Sequence, residues 1–250
     1  MRLAVPTILP VLAVLAWWVT SAGSASPYYP ALSEILITFR NTWLFDGVRS
    51  DIFPSVGRMV AGFGLGVSGG IALGVVLGRI RVLGRALNPA VQFGRALPGA
   101  TLVPISVIIF GIGDLGKILV IGFIAMFPVL LNTIDAVRSV DPQLEEVCRV
   151  FRLTRFQRLT SVLLPASAPQ IFAGMRVSLQ LSFIMMVVTE IFASINGIGH
   201  VTLEAKQMFD MPGMWAGMLL LGILGIASNG LVLLLQRRVL RWHTGQTESN

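Results

Sequence analysis

The stretch DPQLEEVCRVFRLTRFQRLTSVLLP, residues 141–165, is charged and helical in period inside a chain that otherwise runs in long apolar blocks. Asp141 followed by Pro142 is a helix start: a side-chain acceptor at the N-cap, then proline where no N–H is needed. Glu145 and Glu146 fall in the first turn or just past it, where the helix dipole favours negative charge. Leu144, Val147, Cys148 and Phe151 stand at i, i+3, i+4 and i+7 and form one apolar face. Glu145 and Arg149 can pair on another side, an exposed contact of about 0.3 to 0.5 kcal/mol. A second start follows, where Thr154 and Gln157 match a capping box and Phe156, Leu159, Val162 and Leu163 continue an apolar stripe. Leu164-Pro165 is expected to stop it, because proline removes a donor and disfavours helix in the residue before it. The reading predicts two short helices meeting at an angle, then entry into the next apolar block at Pro169. Such a pair either rests on a membrane surface or presents its apolar face to a groove in a soluble partner.

The rest of the chain explains why a polar insert stands out. Of 250 residues 54% are hydrophobic and only 12% charged, with a mean hydropathy of +0.79. Soluble domains carry roughly a quarter charged residues, so this composition points to lipid. The single cysteine, Cys148, excludes an intramolecular disulfide or a cysteine metal cage. A net charge of +7 raises the question of nucleic acid. In a membrane chain, however, basic residues mark the cytoplasmic loops, and no nucleic-acid partner is expected.

A spanning helix needs about 20 mainly apolar residues. Six candidates satisfy this: 5–20, 56–77, 90–112, 118–137, 171–192 and 215–235. Between the first two, ALSEILITFRNTW (31–43) reads as a short amphipathic helix at the surface. Arg79, Arg81, Arg85 and Arg95 follow span two; Arg138, Arg149, Arg152, Arg155 and Arg158 lie between spans four and five. Arg237, Arg238 and Arg241 follow span six, and Arg2 precedes span one. The opposite side holds Arg40, Arg49, Lys117 and Lys206, diluted by Glu34, Asp46, Asp51, Asp114, Glu204 and Asp210. With short loops this asymmetry places both termini, and residues 141–165, in the cytoplasm. The apolar run after Met1-Arg2 exceeds the usual core of a cleaved signal peptide, although SAGSAS follows it, so a retained first helix is expected.

Span two carries Gly62, Gly66, Gly70, Gly74 and Gly78 at every fourth residue. Small residues at that spacing let two helix backbones approach closely. Packing within the chain is the expected use, with a subunit interface or gate as the alternative. Pro98, Pro104, Pro128 and Gly111/Gly113 break or bend spans three and four. Freed backbone groups at membrane depth are tolerated where they are buried in protein or line a wet cavity, which makes these helices candidates for lining a path. Ionisable residues inside spans are few, namely Arg58, Asp135, Arg176 and Glu190. They belong either to the bundle interior or to interfacial anchoring, and Arg176 is placed to snorkel.

Residues 141–165 resemble the EAA loop of ABC-importer permeases, whose signature is E-A-A, three residues, then G, closing near L-P. Glu146-Val147-Cys148 stand at E-A-A, Arg152 at the glycine, and Leu164-Pro165 at the closing L-P. The likeness continues through PQIFAGMRVSLQLSF (169–183), Thr189-Glu190 and NGIGHVTLEAKQMF (196–209). Upstream, SVGRMVAGFGLGVSGGIALG (55–74), RALPGATLVPISVIIFGIG (95–113) and FPVLLNTIDAVRSVDP (127–142) resemble the nitrate, sulfonate, taurine and bicarbonate branch.

The resemblance implies an all-α integral membrane fold of about six transmembrane helices, the type I (MetI-like) permease architecture. It would form one permease domain over 1–250, with a core at 54–236, a coupling loop at 138–168 and a cytoplasmic tail at 237–250. It implies partners: a second permease copy, cytoplasmic ATPase subunits and an extracytoplasmic solute-binding protein, all at the inner membrane. Leu144, Glu145, Glu146, Val147, Cys148, Phe151, Arg152, Leu164 and Pro165 would couple to the ATPase. Arg58, Pro104, Pro128, Arg176 and Glu190 are candidates for the path or its gate, Glu190 with Asn196-Gly197-Ile198-Gly199 near the outer gate. No G-x-x-x-x-G-K-[ST] occurs, so no cofactor is expected in this chain and ATP would be bound by a partner. Where Arg152 replaces the glycine at a bend, a left-handed conformation would cost about 1 to 2 kcal/mol, and the bend is expected to widen or to shift towards Leu153-Thr154.

The solute suggested by the branch is a small organic or inorganic anion. A pyrimidine vitamin precursor or riboflavin is the alternative within the same machinery. A secondary transporter would call for carboxylates in mid-span or internal repeats, and neither is evident.

Overall fold

The computed structural model describes residues 5–24, 26–45 and 47–240, with the side chains of 5–8, 10, 11 and 145 outside the description. Arg2, Arg241 and the tail beyond 240 also lie outside it. Every regular element among the described residues is helical. Four helices are long and apolar enough to cross a membrane by length and composition, and a bent pair can serve as a fifth. The shorter apolar helix α1 (Val5–Ser21) precedes them.

The centre of the bundle is α3 (Phe53–Arg79), extended at its start by a wide π-helical turn (Val48–Ile52), laid against α6 (Asp114–Arg138). The glycine stripe is the reason they touch. Its five members are buried in α3, and each meets the residue 59 positions further on: Gly62 with Ile121, Gly66 with Ala125, Gly70 with Val129, Gly74 with Thr133 and Gly78 with Val137. The constant offset makes α3 and α6 parallel and in register from Gly62 to Gly78, more than four turns. A Cβ on Gly66 would sit 2.7 Å from both the Ala125 Cβ and the Gly122 carbonyl oxygen, so nothing larger than hydrogen fits. The stripe thus packs within the chain.

The third apolar block is not one helix. It divides into α4 (Arg81–Ala96) and α5 (Gly99–Phe110), which meet at 92° across Leu97-Pro98. Leu97 is extended because the proline ring excludes the helical region for the residue before it. Of the arginines that follow span two, Arg79 therefore closes α3 and Arg81, Arg85 and Arg95 lie on α4. Gly111, at φ +76°, ends α5.

Residues 141–165 form α7 (Pro142–Val150) and α8 (Arg155–Arg158). One expectation is corrected here: the helix does not stop at Leu164-Pro165. It runs on through a π-helical turn (Leu159–Leu163) into α9 (Leu164–Ala193), and Arg155–Ala193 counts as a single helical span of 39 residues. The wide turn just before Pro165 gives the ring room next to the preceding turn, and the helix continues without the one bond that the proline N–H would have made.

After α9 come α10 (Ile198–Gln207) and α11 (Met211–Val239). The amphipathic stretch 31–43 becomes α2 (Leu32–Trp43). It does more than lie at the surface: Leu32, Ile35 and Trp43 form a core with Ile198, Ala216 and Leu220. A second core joins α3, α5, α6 and α9 through Met59, Val103, Ile121 and Met186. The Ser178 hydroxyl on α9 donates to the Ala125 carbonyl on α6, locking the two helices beside the glycine contact.

The stripe yields a paired prediction. Gly70→Leu must displace the Met126 carbonyl and Val129, which lie 2.8 and 2.9 Å from its would-be Cβ. Overpacking of this kind costs about 1 to 3 kcal/mol or more, seen as lost monodisperse protein and a lowered melting temperature. Gly64→Leu, on the same helix with open space around it, should leave both unchanged.

Candidate functional site

The helical pair is built by its caps. The Asp141 carboxylate accepts from the Gln143 N–H at 2.8 Å, and the Thr154–Gln157 capping box forms in both directions, with Thr154 N–H to Gln157 Oε1 at 2.9 Å. The bend between α7 and α8 is centred on Arg152, whose φ is +49°. Leu153 N–H bonds back to the Cys148 carbonyl and Arg152 N–H to the Arg149 carbonyl, at 3.0 and 3.1 Å. That 6→1 and 5→2 pairing is a Schellman ending, with arginine where glycine is usual. The bend therefore has not shifted to Leu153-Thr154; the arginine accepts the left-handed conformation.

The expected apolar face of α7 divides in two. Cys148 is buried, and with Leu144 it turns towards Val162 and Leu163, holding α7 against the following helix. Val147 and Phe151 stay exposed, joined by Val150 and Phe156 from the same surface. Glu146 and Arg152 are exposed beside them. The side chain of Glu145, and with it the expected pairing to Arg149, lies outside the described residues. Leu164 and Pro165 are half-buried at the start of α9.

At the other end of the same bundle an ionic cluster appears, with Arg58, Lys117 and Glu190 buried and Asp114 at its exposed edge. Arg58 (5% exposed) donates from Nε to Asp114 at 2.7 Å, from Nη1 to Glu190 at 3.0 Å, and from Nη2 to the Asn196 side-chain oxygen at 2.6 Å. Lys117 (4% exposed) donates to the Ser194 hydroxyl at 2.8 Å and stands 3.8 Å from Asp114. Glu190 is fully buried, and its second oxygen accepts the Gly199 N–H at 3.0 Å. Asp51 accepts the Gly197 N–H at 2.7 Å and Ser55 the Ile198 N–H at 3.0 Å. Four segments converge: the start of α3, the start of α6, the end of α9 and the start of α10. The free N–H groups that open α10 are met by carboxylates and a hydroxyl, the partners a helix N-terminus calls for. Gly197, at φ +113°, is required twice over: a Cβ would fall 2.5 Å from the Glu190 carboxyl carbon.

Arg58 and Glu190 were legible in the sequence as intramembrane charges. Their neighbours Asp114 and Lys117 were not, being expected in an outer loop; the 59-residue offset of the glycine contacts, which brings the start of α6 to Arg58, is visible only in the folded chain.

The remaining path candidates separate. Pro128 lines a chamber of about 460 Å³ between the α4–α5 break, α6 and α9, with Arg95, Leu131, Ile184 and Met185. Pro104 lies on an exposed face of α5. Arg176 donates to Gln236 across to α11.

Set beside known proteins, residues 69–241 match the family model described as binding-protein-dependent transport system inner membrane component. A Bacillus subtilis protein named as an aliphatic sulfonates transport permease, SsuC, is 30% identical over 237 residues, covering 94% of this chain and 86% of that one. The bicarbonate transport system permease protein CmpB of Synechococcus elongatus is 33% identical over 196 residues, covering 78% and 70%. Among solved structures, an inward-facing MetNI methionine ABC transporter has a similar fold, with a TM-score of 0.66 at 20% identity over 77% of this chain and 95% of that one.

Two outcomes test these geometries. Arg152→Gly should relieve about 1 to 2 kcal/mol of left-handed strain, slowing amide exchange at Leu153 roughly five- to thirtyfold in hydrogen-exchange measurements. Arg58→Ala leaves Glu190 buried without its cation and should cost about 3 to 5 kcal/mol, read as a lowered melting temperature. Arg58→Lys should recover part of it, since a lysine supplies the charge without the fork that reaches Asp114, Glu190 and Asn196 together.

Proposed function

The chain belongs to the family of binding-protein-dependent transport system inner membrane components, and we propose that it forms the path by which a small organic or inorganic anion crosses the membrane. It is a permease subunit of an ABC importer. Relatives that carry aliphatic sulfonates and bicarbonate support the anionic class. In this proposal two copies assemble, both termini face the cytoplasm, and a solute-binding protein delivers cargo on the side of the Arg58–Glu190 cluster. ATP is bound and hydrolysed by separate ATPase subunits on the side of α7.

The observation that carries the reading is the continuity of helix from Arg155 to Ala193. A short capped helix, α7, is fixed by Leu144 and Cys148 to the foot of a rod that crosses the bundle and ends at the Glu190 cluster. Val147, Val150, Phe151 and Phe156 offer exposed apolar knobs, with Glu146 and Arg152 at their rim. An apolar helix face of this kind fits a groove in a soluble partner. Motion of that partner on nucleotide binding would be transmitted through the rod instead of being absorbed in a loop. At the far end the Arg58 cluster closes the bundle by tying α3, α6, α9 and α10 together, and serves as an outer closure.

The test is co-purification. Val147→Asp with Phe151→Asp should leave the amount of permease in the membrane unchanged and reduce the bound ATPase at least about tenfold, since removing central apolar contacts at an interface costs 1 kcal/mol or more each. Retained ATPase together with continued uptake would refute the docking role.

A further inference from the structure

The polar residues of α4 fall in one line. Arg81, Arg85, Asn88, Gln92 and Arg95 stand at i, i+4, i+7, i+11 and i+14, a single stripe about 21 Å long at 1.5 Å per residue. The stripe residues are exposed, as are Val82, Leu87 and Phe93 on other faces. Two close contacts hold the helix. A Cβ on Gly84 would lie 2.5 Å from the Leu77 carbonyl and 2.6 Å from an Arg138 nitrogen, and one on Gly94 would lie 2.6 Å from the Phe127 ring. Between these contacts the helices part, leaving a cavity of about 390 Å³ lined by Arg85, Asn88 and Gln92 from α4 and by Asp135 and Arg138 from α6. Leu131 lines both this cavity and the 460 Å³ chamber where Arg95 stands, so the two spaces adjoin.

The charge along this route is predominantly positive: Arg95, Arg85 and Arg138 against one carboxylate, Asp135. Arg95 is the only ionisable residue lining the chamber, whose other lining residues are apolar apart from backbone. In the cavity two arginines face one aspartate, Asp135, and Arg138 is anchored by a hydrogen bond to the Leu77 carbonyl at 3.2 Å. Amide side chains, Asn88 and Gln92, fill the interval between the cations at steps of about one helical turn. Such an arrangement supplies hydrogen-bond donors in place of hydration water at each step, and holds no anion with enough charge to trap it. In the chamber, where the other lining residues are apolar, the attraction to Arg95 is strengthened relative to bulk water.

We propose that the polar stripe of α4 is the inner limb of the solute path, an anion-selective ladder. A monoanion would leave the chamber at Arg95, pass Gln92 and Asn88, and reach Arg85 and Arg138 at the mouth of the cavity. The proposal rests on the reading of the chain as an anion permease, and adds which residues select the sign of charge. It also bears on chemistry: one cation among apolar walls in the chamber suits an anionic head with a small apolar tail.

The experiment needs no knowledge of the natural solute. Asn88→Cys and Gln92→Cys are introduced singly, and the permease is reconstituted with its ATPase in nanodiscs of zwitterionic lipid. Each particle is treated with a negatively charged methanethiosulfonate (a sulfonate itself) or with its trimethylammonium counterpart. Labelling of this chain is followed by mass, with rates referred to a free thiol; the parent, whose Cys148 is buried, is the blank. The anionic reagent should be favoured at least about tenfold, the lower end of what field focusing in a charged cleft gives. Arg85→Gln with Arg95→Gln should bring the ratio near one, while the matching lysine variants keep it. Equal rates, no labelling by either reagent, or a preference that survives the glutamine variants would overturn the ladder. Labelling that is blocked only when anionic lipid is added would overturn it in favour of a lipid-headgroup site. ATPase retention and ATP hydrolysis are measured on the same particles, so loss of the importer reading would register separately from loss of the ladder.

Discussion

The contact between α3 and α6 sets the geometry of everything else. Two helices in lipid have no hydrophobic drive to associate, because the surrounding tails are as apolar as their side chains. Five glycines at four-residue spacing replace that drive with backbone contact, close enough that the Gly122 carbonyl lies 2.7 Å from a would-be Cβ on Gly66. Parallel packing in one register then fixes which charges can meet. Arg58, one turn before the stripe begins, faces the start of α6, where Asp114 and Lys117 stand. Slip the register by one turn and Arg58 loses Asp114, leaving Glu190 with a poorer partner in a place no water reaches.

A buried ion pair is weak evidence for stability, since desolvating the charges offsets most of their attraction. Its use here is better described as specification. Arg58 presents a rigid fork, and its donors are shared among Asp114, Glu190 and Asn196. Only one arrangement of four chain segments satisfies all three acceptors. Glu190 in turn holds the N-terminus of α10 through Gly199, and α10 carries the core shared with α2 and α11. A fully satisfied polar cluster at this end thus does what the glycine stripe does along the middle: it excludes alternatives.

Much of the architecture was legible in the sequence, because hydropathy, glycine spacing and caps act locally. Asp141, Thr154 and Gln157 cap as their types and spacing dictate, and the stripe of glycines marked the tightest interface. What escaped was of another kind. Pro165 reads as a stop in the sequence, yet a helix can widen by one turn and continue, as it does through Leu159–Leu163 into α9. The break at Leu97-Pro98 was visible as a proline, but its 92° angle depends on where α4 finds its glycine contacts with α3 and α6. Asp114 and Lys117 looked like loop charges because nothing near them in sequence says that Arg58 lies opposite. Long-range register converts an unremarkable polar residue into part of a site.

Two non-glycine residues among those described adopt a left-handed backbone, Arg152 and Phe209. Both close a helix with the same pair of bonds: Asp210 N–H to the Ala205 carbonyl and Phe209 N–H to the Lys206 carbonyl repeat what Leu153 and Arg152 do for α7. Each conformation costs about 1 to 2 kcal/mol that glycine would spare. Glycine would also bring more conformational freedom to the unfolded chain, which offsets part of that gain. A side chain at the turn narrows that freedom before folding, and at Arg152 it adds a cation beside the exposed Val147 and Phe151. A lever works only if its angle is held; on this view the strain at Arg152 is the local cost of a stiff joint between α7 and the rod that follows.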